Sequence, residues 1–361
     1  MNVTRKLHDL GQRIWLDNIT RDLLFSGTLQ RYISEYSVTG LTSNPTIFHN
    51  AIKGSNVYDE AIKNKFLDGL SNEQIFMALA VEDVTQAADL FYPVYAASDG
   101  VDGWVSLEVS PLLANDTAGT IHAALQLHAR VDRPNLFIKI PGTQAGLAAI
   151  EEVIFAGVPV NVTLLFSREQ YLAAAEAYMR GIERRISAGR DARVASVASL
   201  FVSRWDVAVN DKVPEALRNR LGIAVSMRAY QAYRALLASP RWQKLQAAGA
   251  RPQRLLWAST ATKDPAASAT LYVEALVAAD TINTIPDKTL LDFVKQGEIK
   301  TVLPHEGGDA KKILAEISQV GVDADALAET LQREGTASFA KSWDGLMSLI
   351  ASKTEALHKG K

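Results

Sequence analysis

A chain of 361 residues, 48% of them hydrophobic, can bury the core of one large α/β barrel or of two ordinary domains. A net charge of −2 and a pI near 6.3 leave no basic surface for nucleic acid or for an anionic membrane. There is no cysteine, which excludes disulfides and thiolate chemistry.

The chain opens on Met1-Asn2-Val3-Thr4-Arg5-Lys6, which lacks the apolar run of a signal peptide, and no stretch is long and apolar enough to span a bilayer. A soluble, cytoplasmic protein is expected. Eight β-rich segments recur: Arg13–Ile19, Ser37–Asn44, Trp104–Ser110, Leu136–Gly142, Pro159–Phe166, Val194–Val202, Arg254–Thr260 and Ala279–Pro286. Nearly all are separated by helical stretches, the pattern of parallel strands joined by crossovers, and eight such units predict a single (β/α)8 barrel over residues 1–361. Between them, Asp116–Arg130 and Thr143–Phe155 have a period near 3.6, and Asp264-Pro265 reads as an N-cap followed by proline at the first helical position. The long connections Asn50–Gly103 and Ser203–Gln253 call for additional helices, and a tail from about Asp323 to Leu357 reads as a helix beyond the eighth strand. That C-terminal helix either closes the barrel mouth or packs along the side. The outer helices of such a barrel are compatible with a homo-oligomer.

Side chains alternate across a strand. In the fourth segment Phe137 and Lys139 share one face, with Leu136, Ile138 and Ile140 on the other. The same parity groups Trp15 with Asp17, Thr42 with Asn44, Ser106 with Glu108 and Ser110, Asn161 with Thr163, Ser199 with Phe201, and Trp257 with Ser259, while the eighth segment offers Asn283. The apolar faces suit packing under helices, so the mixed faces would point into the barrel. A purely structural interior prefers bulky aliphatics, and most of these polar residues fall in the C-terminal halves of their strands, where barrel active sites are built.

A lysine among β-formers is costly, because burial disfavours the charged amine, and a neutral amine is a nucleophile toward carbonyls. Lys139 with Glu108 and Asp17 fits covalent carbonyl catalysis through a Schiff base: one carboxylate shuttles the protons of carbinolamine formation, and the second takes a hydroxyl proton during carbon–carbon cleavage. Arg204 and Lys263, just past the sixth and seventh strands, are either solvent-facing charges or the holders of a phosphate at the mouth. His8, His49, His122, His128, His305 and His358 are scattered without ligand spacing, and each reads as a surface or satisfied structural histidine. No metal site and no cofactor is expected: the chain has no P-loop and no glycine fingerprint between a strand and a helix.

Six segments together resemble the transaldolase family, class I Schiff-base enzymes of the pentose phosphate pathway. They are Leu41-Thr42-Ser43-Asn44-Pro45, Ser106-Leu107-Glu108-Val109-Ser110, Ile138-Lys139-Ile140-Pro141, Val160-Asn161-Val162-Thr163-Leu164-Leu165-Phe166-Ser167, Ser199-Leu200-Phe201-Val202-Ser203-Arg204 and Trp257-Ala258-Ser259-Thr260. The length and the Ala-Ser-Thr-Ala-Thr-Lys form of the seventh motif resemble the longer bacterial branch. The resemblance implies a lysine Schiff base between Lys139 and a ketose phosphate, with Glu108 as acid/base through a water held by Thr163. It implies Asp17 as the residue that takes and returns the hydroxyl proton, Asn44 and Asn161 as holders of the dihydroxyacetone unit with Ser199 nearby, and Arg204 and Ser259 as phosphate ligands. The chain departs from a shorter form of the family, which carries a second phosphate-binding arginine soon after that serine; here Lys263 is the first basic residue and is expected to take over the charge.

Related, shorter fructose 6-phosphate aldolases typically carry glutamine at the place of Glu108 and tyrosine at that of Phe201, so both positions side with transfer. A non-catalytic barrel that binds sugar phosphates is the rival from another class; a decayed enzyme would lose its buried polar groups first, because apolar replacements tend to stabilise. Some members of this branch are fused to an isomerase. The chain ends at His358-Lys359-Gly360-Lys361 with no second domain, so the transaldolase half alone is expected here.

Overall fold

The computed structural model describes residues 2–359, with side chains through Leu357. Eight strands follow in order: β1 (Gln12–Leu16), β2 (Val38–Thr42), β3 (Trp104–Glu108), β4 (Leu136–Pro141), β5 (Val160–Leu165), β6 (Ser196–Phe201), β7 (Arg254–Ala258) and β8 (Thr281–Ile285). Every neighbouring pair is parallel, and β8 pairs back to β1 to close the barrel in sequence order. The expected (β/α)8 barrel with additional helices is the observed fold. Helices Thr117–Val131 and Gln144–Ala156 sit within one residue of their expected bounds, because Asp116 and Thr143 act as N-caps, accepting from the amides of Gly119 and Gly146. The long connections carry helices such as Asn72–Ala97 and Leu221–Leu237, as their length required.

The expected helix at Asp264-Pro265 does not form. The Asp264 carboxylate accepts from the Asn219 side chain at 2.7 Å and from the Ala266 amide at 2.9 Å, a turn-stabilising arrangement, and helix resumes only at Leu271–Ala275.

Two layers fill the barrel. The lower is aromatic: Trp104 stacks on Phe137 with ring centroids 4.2 Å apart, and Trp15 lies 6.0 Å from Phe137. Gly40 is required at this level, since a Cβ there would come within 2.6 Å of the Trp15 ring. Above the aromatics sits a polar layer in which the Asn161 amide donates to Ser106 Oγ at 3.1 Å and accepts from Ser199 Oγ at 2.7 Å. Burial without these bonds would cost about 1–3 kcal/mol per group, so the network is self-consistent only as a unit.

The tail forms one helix, Ala324–Lys359, which crosses the barrel mouth. Its buried residues Ala328, Leu331, Phe339, Trp343, Leu346, Ile350 and Thr354 follow helical spacing. Gly335 falls on the same stripe; a Cβ there would sit 2.9 Å from Leu164 and 3.3 Å from the Arg204 guanidinium, so glycine lets the helix lie close on the rim. Gln332 donates to the carbonyls of Gly142 and Leu164, and Lys353 pairs with Asp59 at 2.5 Å. Among the described residues no helix is long and apolar enough to cross a membrane.

Candidate active site

The C-terminal ends of the strands surround a cavity of about 450 Å³. Asp17, Asn44, Lys139, Thr163, Ser199, Phe201, Arg204, Ser259 and Lys263 line it, so most of the expected set converges on one space. Glu108 stands just behind Lys139, and Asn161 lies in the polar layer beneath. None of the described histidine side chains lines the cavity; that of His358 lies outside the described residues.

Lys139 comes from β4, whose Ile138 and Ile140 pack outward under the helices. Its Nζ lies 3.3 Å from Glu108 Oε2 and donates to the Ser43 carbonyl at 3.2 Å. The residue is 5% exposed, which makes this a buried cation beside a buried carboxylate. Burial raises the Glu108 carboxyl above its usual range, opposed by the charge and hydrogen bond of Lys139. Thr163 Oγ1 is buried without a hydrogen-bond partner among the described residues, while Glu108 Oε2 has Lys139 Nζ as its neighbour.

Asp17 follows β1. Burial raises its carboxyl as well, opposed first by the charge of Lys139 and then by a hydrogen bond from Thr42. That bond is 2.8 Å long, and Thr42 Oγ1 is 2.6 Å from Thr284 Oγ1. Because Thr42 spends its proton on Asp17, Thr284 must donate to Thr42, and the chain is oriented toward the carboxylate. Asn44 lines the cavity while its side chain caps the helix Pro45–Lys53 through the Ile47 amide.

The other rim is cationic. Arg204, at the start of helix Ser203–Val209, lies between two rings, with its guanidinium carbon 5.4 Å from the Phe201 centroid and 6.0 Å from that of Phe339. Burial lowers its pKa, and Glu334 opposes the shift. Lys263 is exposed. Neither cation makes an ion pair among the described residues, whereas most other arginines here do. Ser259 reaches the rim in the left-handed region, at φ 57°, with its hydroxyl 2.9 Å from that of Ser203.

Two sequence readings fail in this region. Trp257 does not share the inward face with Ser259: it pairs with Leu200, points to the helix layer and donates to the Leu276 carbonyl at 3.0 Å, while Ala258 faces the cavity. The left-handed turn at Ser259 breaks the alternation and brings the serine inward. Asn283 likewise faces outward, accepting from Thr260 at 2.7 Å, and Thr284, which is in register with Trp15, lines the cavity instead. In Thr281-Ile282-Asn283-Thr284-Ile285 both parities carry a polar residue, so composition gave no preference; the register against Trp15 would have found Thr284. Ser43 and Phe339 were also missed, the first because it contributes only a backbone carbonyl, the second because nothing in the chain places a tail residue at the mouth.

A lysine beside a carboxylate inside a closed eight-stranded barrel, facing a rim with unpaired cations, defines a class: barrel enzymes equipped for carbonyl chemistry on an anionic substrate. The family model for transaldolase/fructose-6-phosphate aldolase matches residues 14–350, and the chain belongs to that family. It is 46% identical over 360 residues to a transaldolase of Frankia alni, an alignment covering 97% of each chain. It is 44% identical to a transaldolase of Thiobacillus denitrificans over 97% of this chain and 100% of the other, and 41% identical to one of Neisseria gonorrhoeae over 96% and 99%.

Proposed function

We propose that this enzyme transfers a dihydroxyacetone unit from a ketose phosphate to an aldose phosphate through a Schiff base on Lys139. The donors are fructose 6-phosphate or sedoheptulose 7-phosphate; the acceptors are erythrose 4-phosphate or glyceraldehyde 3-phosphate. This is the transaldolase step of the non-oxidative pentose phosphate pathway. The observation that carries the reading is Lys139 Nζ, buried 3.3 Å from Glu108 at the base of a cavity rimmed by Arg204 and Lys263.

The amine adds to the donor C2 carbonyl, and the carbinolamine loses water to give the iminium. Glu108, its carboxyl raised by burial, supplies and recovers the protons, with Thr163 holding a mediating water; the buried Thr163 hydroxyl, which has no protein partner among the described residues, supports that role. Asp17 takes the C4 hydroxyl proton, the C3–C4 bond breaks, the aldose phosphate leaves, and the bonding electrons form an enamine with the iminium nitrogen. Thr42 and Thr284 orient Asp17 for this step. An acceptor aldehyde then repeats the sequence in reverse. Asn44, Asn161 and Ser199 position the three-carbon unit, and Arg204, Ser259 and Lys263 hold the phosphate.

Transfer rather than simple aldol cleavage is favoured by Phe201, which is buried against Phe166 at 5.3 Å and has no hydroxyl to position water. The test is product analysis. Fructose 6-phosphate and erythrose 4-phosphate should yield sedoheptulose 7-phosphate and glyceraldehyde 3-phosphate, with no product from Lys139→Met. Free dihydroxyacetone as the main product would assign an aldolase instead.

A further inference from the structure

Phe339 is the one cavity-lining side chain of the crossing helix among the described residues. The residue is 5% exposed, with its ring centroid 5.9 Å from Lys139 Nζ and 6.0 Å from the Arg204 guanidinium carbon. Other members of the stripe pack on protein: Trp343, for example, meets Phe76 edge-on at 5.3 Å. The helix is also held in place around this point. Gln332 bonds two rim carbonyls on one side, Thr46 bonds Ser342 at 2.8 Å on the other, and Gly335 allows the close approach between them.

We propose that Phe339 is an active-site residue that keeps proton-donating water from the enamine carbon of the Lys139 adduct and so sets the balance between transfer and hydrolysis. The proposal rests on the Schiff-base reading above. After cleavage, the enamine carbon has two fates. In transfer it bonds to the acceptor carbonyl carbon, whose oxygen takes the proton held by Asp17, and the new iminium is hydrolysed by the water that Glu108 and Thr163 handle, which frees the ketose and the amine. In hydrolysis the same carbon takes a proton, water adds to C2 of the iminium and returns a proton, and the C2–N bond breaks to give dihydroxyacetone and the free amine. The net second course is enamine plus water to amine plus ketone. A phenyl ring on this side of the adduct, away from the Glu108–Thr163 water, gives a proton-donating water neither a hydrogen bond nor room.

The experiment uses the full chain with fructose 6-phosphate, with and without erythrose 4-phosphate, and reads the ratio of released dihydroxyacetone to transferred product. Phe339→Ala should raise that ratio about tenfold or more, and Phe339→Leu, which keeps the apolar bulk, should stay within about twofold of the parent. If Phe339→Ala does not fold, Phe339→Gln brings a hydrogen-bonding group to the same place and must raise the ratio instead. Borohydride trapping on Lys139 is measured in parallel. A trapped adduct with an unchanged ratio overturns the role of Phe339 alone, whereas failure of the parent to trap any adduct overturns the Schiff-base reading. A merely structural role would lower the melting temperature and overall rate without moving the ratio.

Discussion

Replacing Lys139 by Met removes one member of a buried pair and leaves the other. Glu108 would keep its dehydrated site, lose the ammonium 3.3 Å away, and escape by taking a proton. The cost of that escape is set by pH. Protonating a carboxyl of ordinary pKa 4.5 costs about 3 kcal/mol at pH 7 and under about 1 kcal/mol at pH 5. The folded variant binds more protons than its unfolded chain above pH 4.5, so its stability falls as pH rises through that window. Relief from burying the ammonium makes about 3 kcal/mol an upper bound. Urea unfolding at pH 5 and pH 7 should therefore show Lys139→Met losing up to about 3 kcal/mol relative to the parent at pH 7 and little at pH 5, with Glu108→Gln in the double variant removing most of the difference. An equal loss at both pH values, or no relief from Glu108→Gln, would refute the coupling of these two groups.

Further outcomes follow from the same geometry. Glu108→Gln should slow Schiff-base formation about 10²–10⁴-fold and abolish the acid limb of the kcat/KM profile, which in the parent should lie above the ordinary glutamate range because burial raises that carboxyl; single-turnover trapping rates against pH check both. Lys263→Ala should raise KM for phosphorylated donors about tenfold and leave dihydroxyacetone itself unaffected, and an unchanged KM would remove Lys263 from the phosphate site. Phe201→Tyr should raise aldol cleavage relative to transfer, measured as free dihydroxyacetone per transfer event; equal ratios in both proteins would contradict its assignment.

How far the chain itself discloses this site depends on what kind of signal each residue leaves. Lys139 and Glu108 were legible because charge inside apolar β segments violates burial preferences, and adjacent strands then bring them into register as paired residues. Asp116 and Thr143 announced their helices for a local reason, their own capping bonds. Asp264 shows the limit of that logic, since its carboxylate was claimed by Asn219, a residue 45 positions earlier. Parity failed at Ser259 because a left-handed residue just past the end of β7 breaks the alternation, and it failed at Asn283 because both faces of β8 carry polar groups. Phe339 left no trace at all: its meaning arises only when Gly335 and Gln332 dock the tail on the rim.

In the proposed mechanism Lys139 carries the substrate covalently. This is tested most directly by reducing the protein with borohydride in the presence of fructose 6-phosphate and mapping the modified peptide by mass spectrometry. A reduced dihydroxyacetone adduct on Lys139 is the predicted result; an adduct on another lysine, or none on a folded protein shown to bind the sugar, would contradict it.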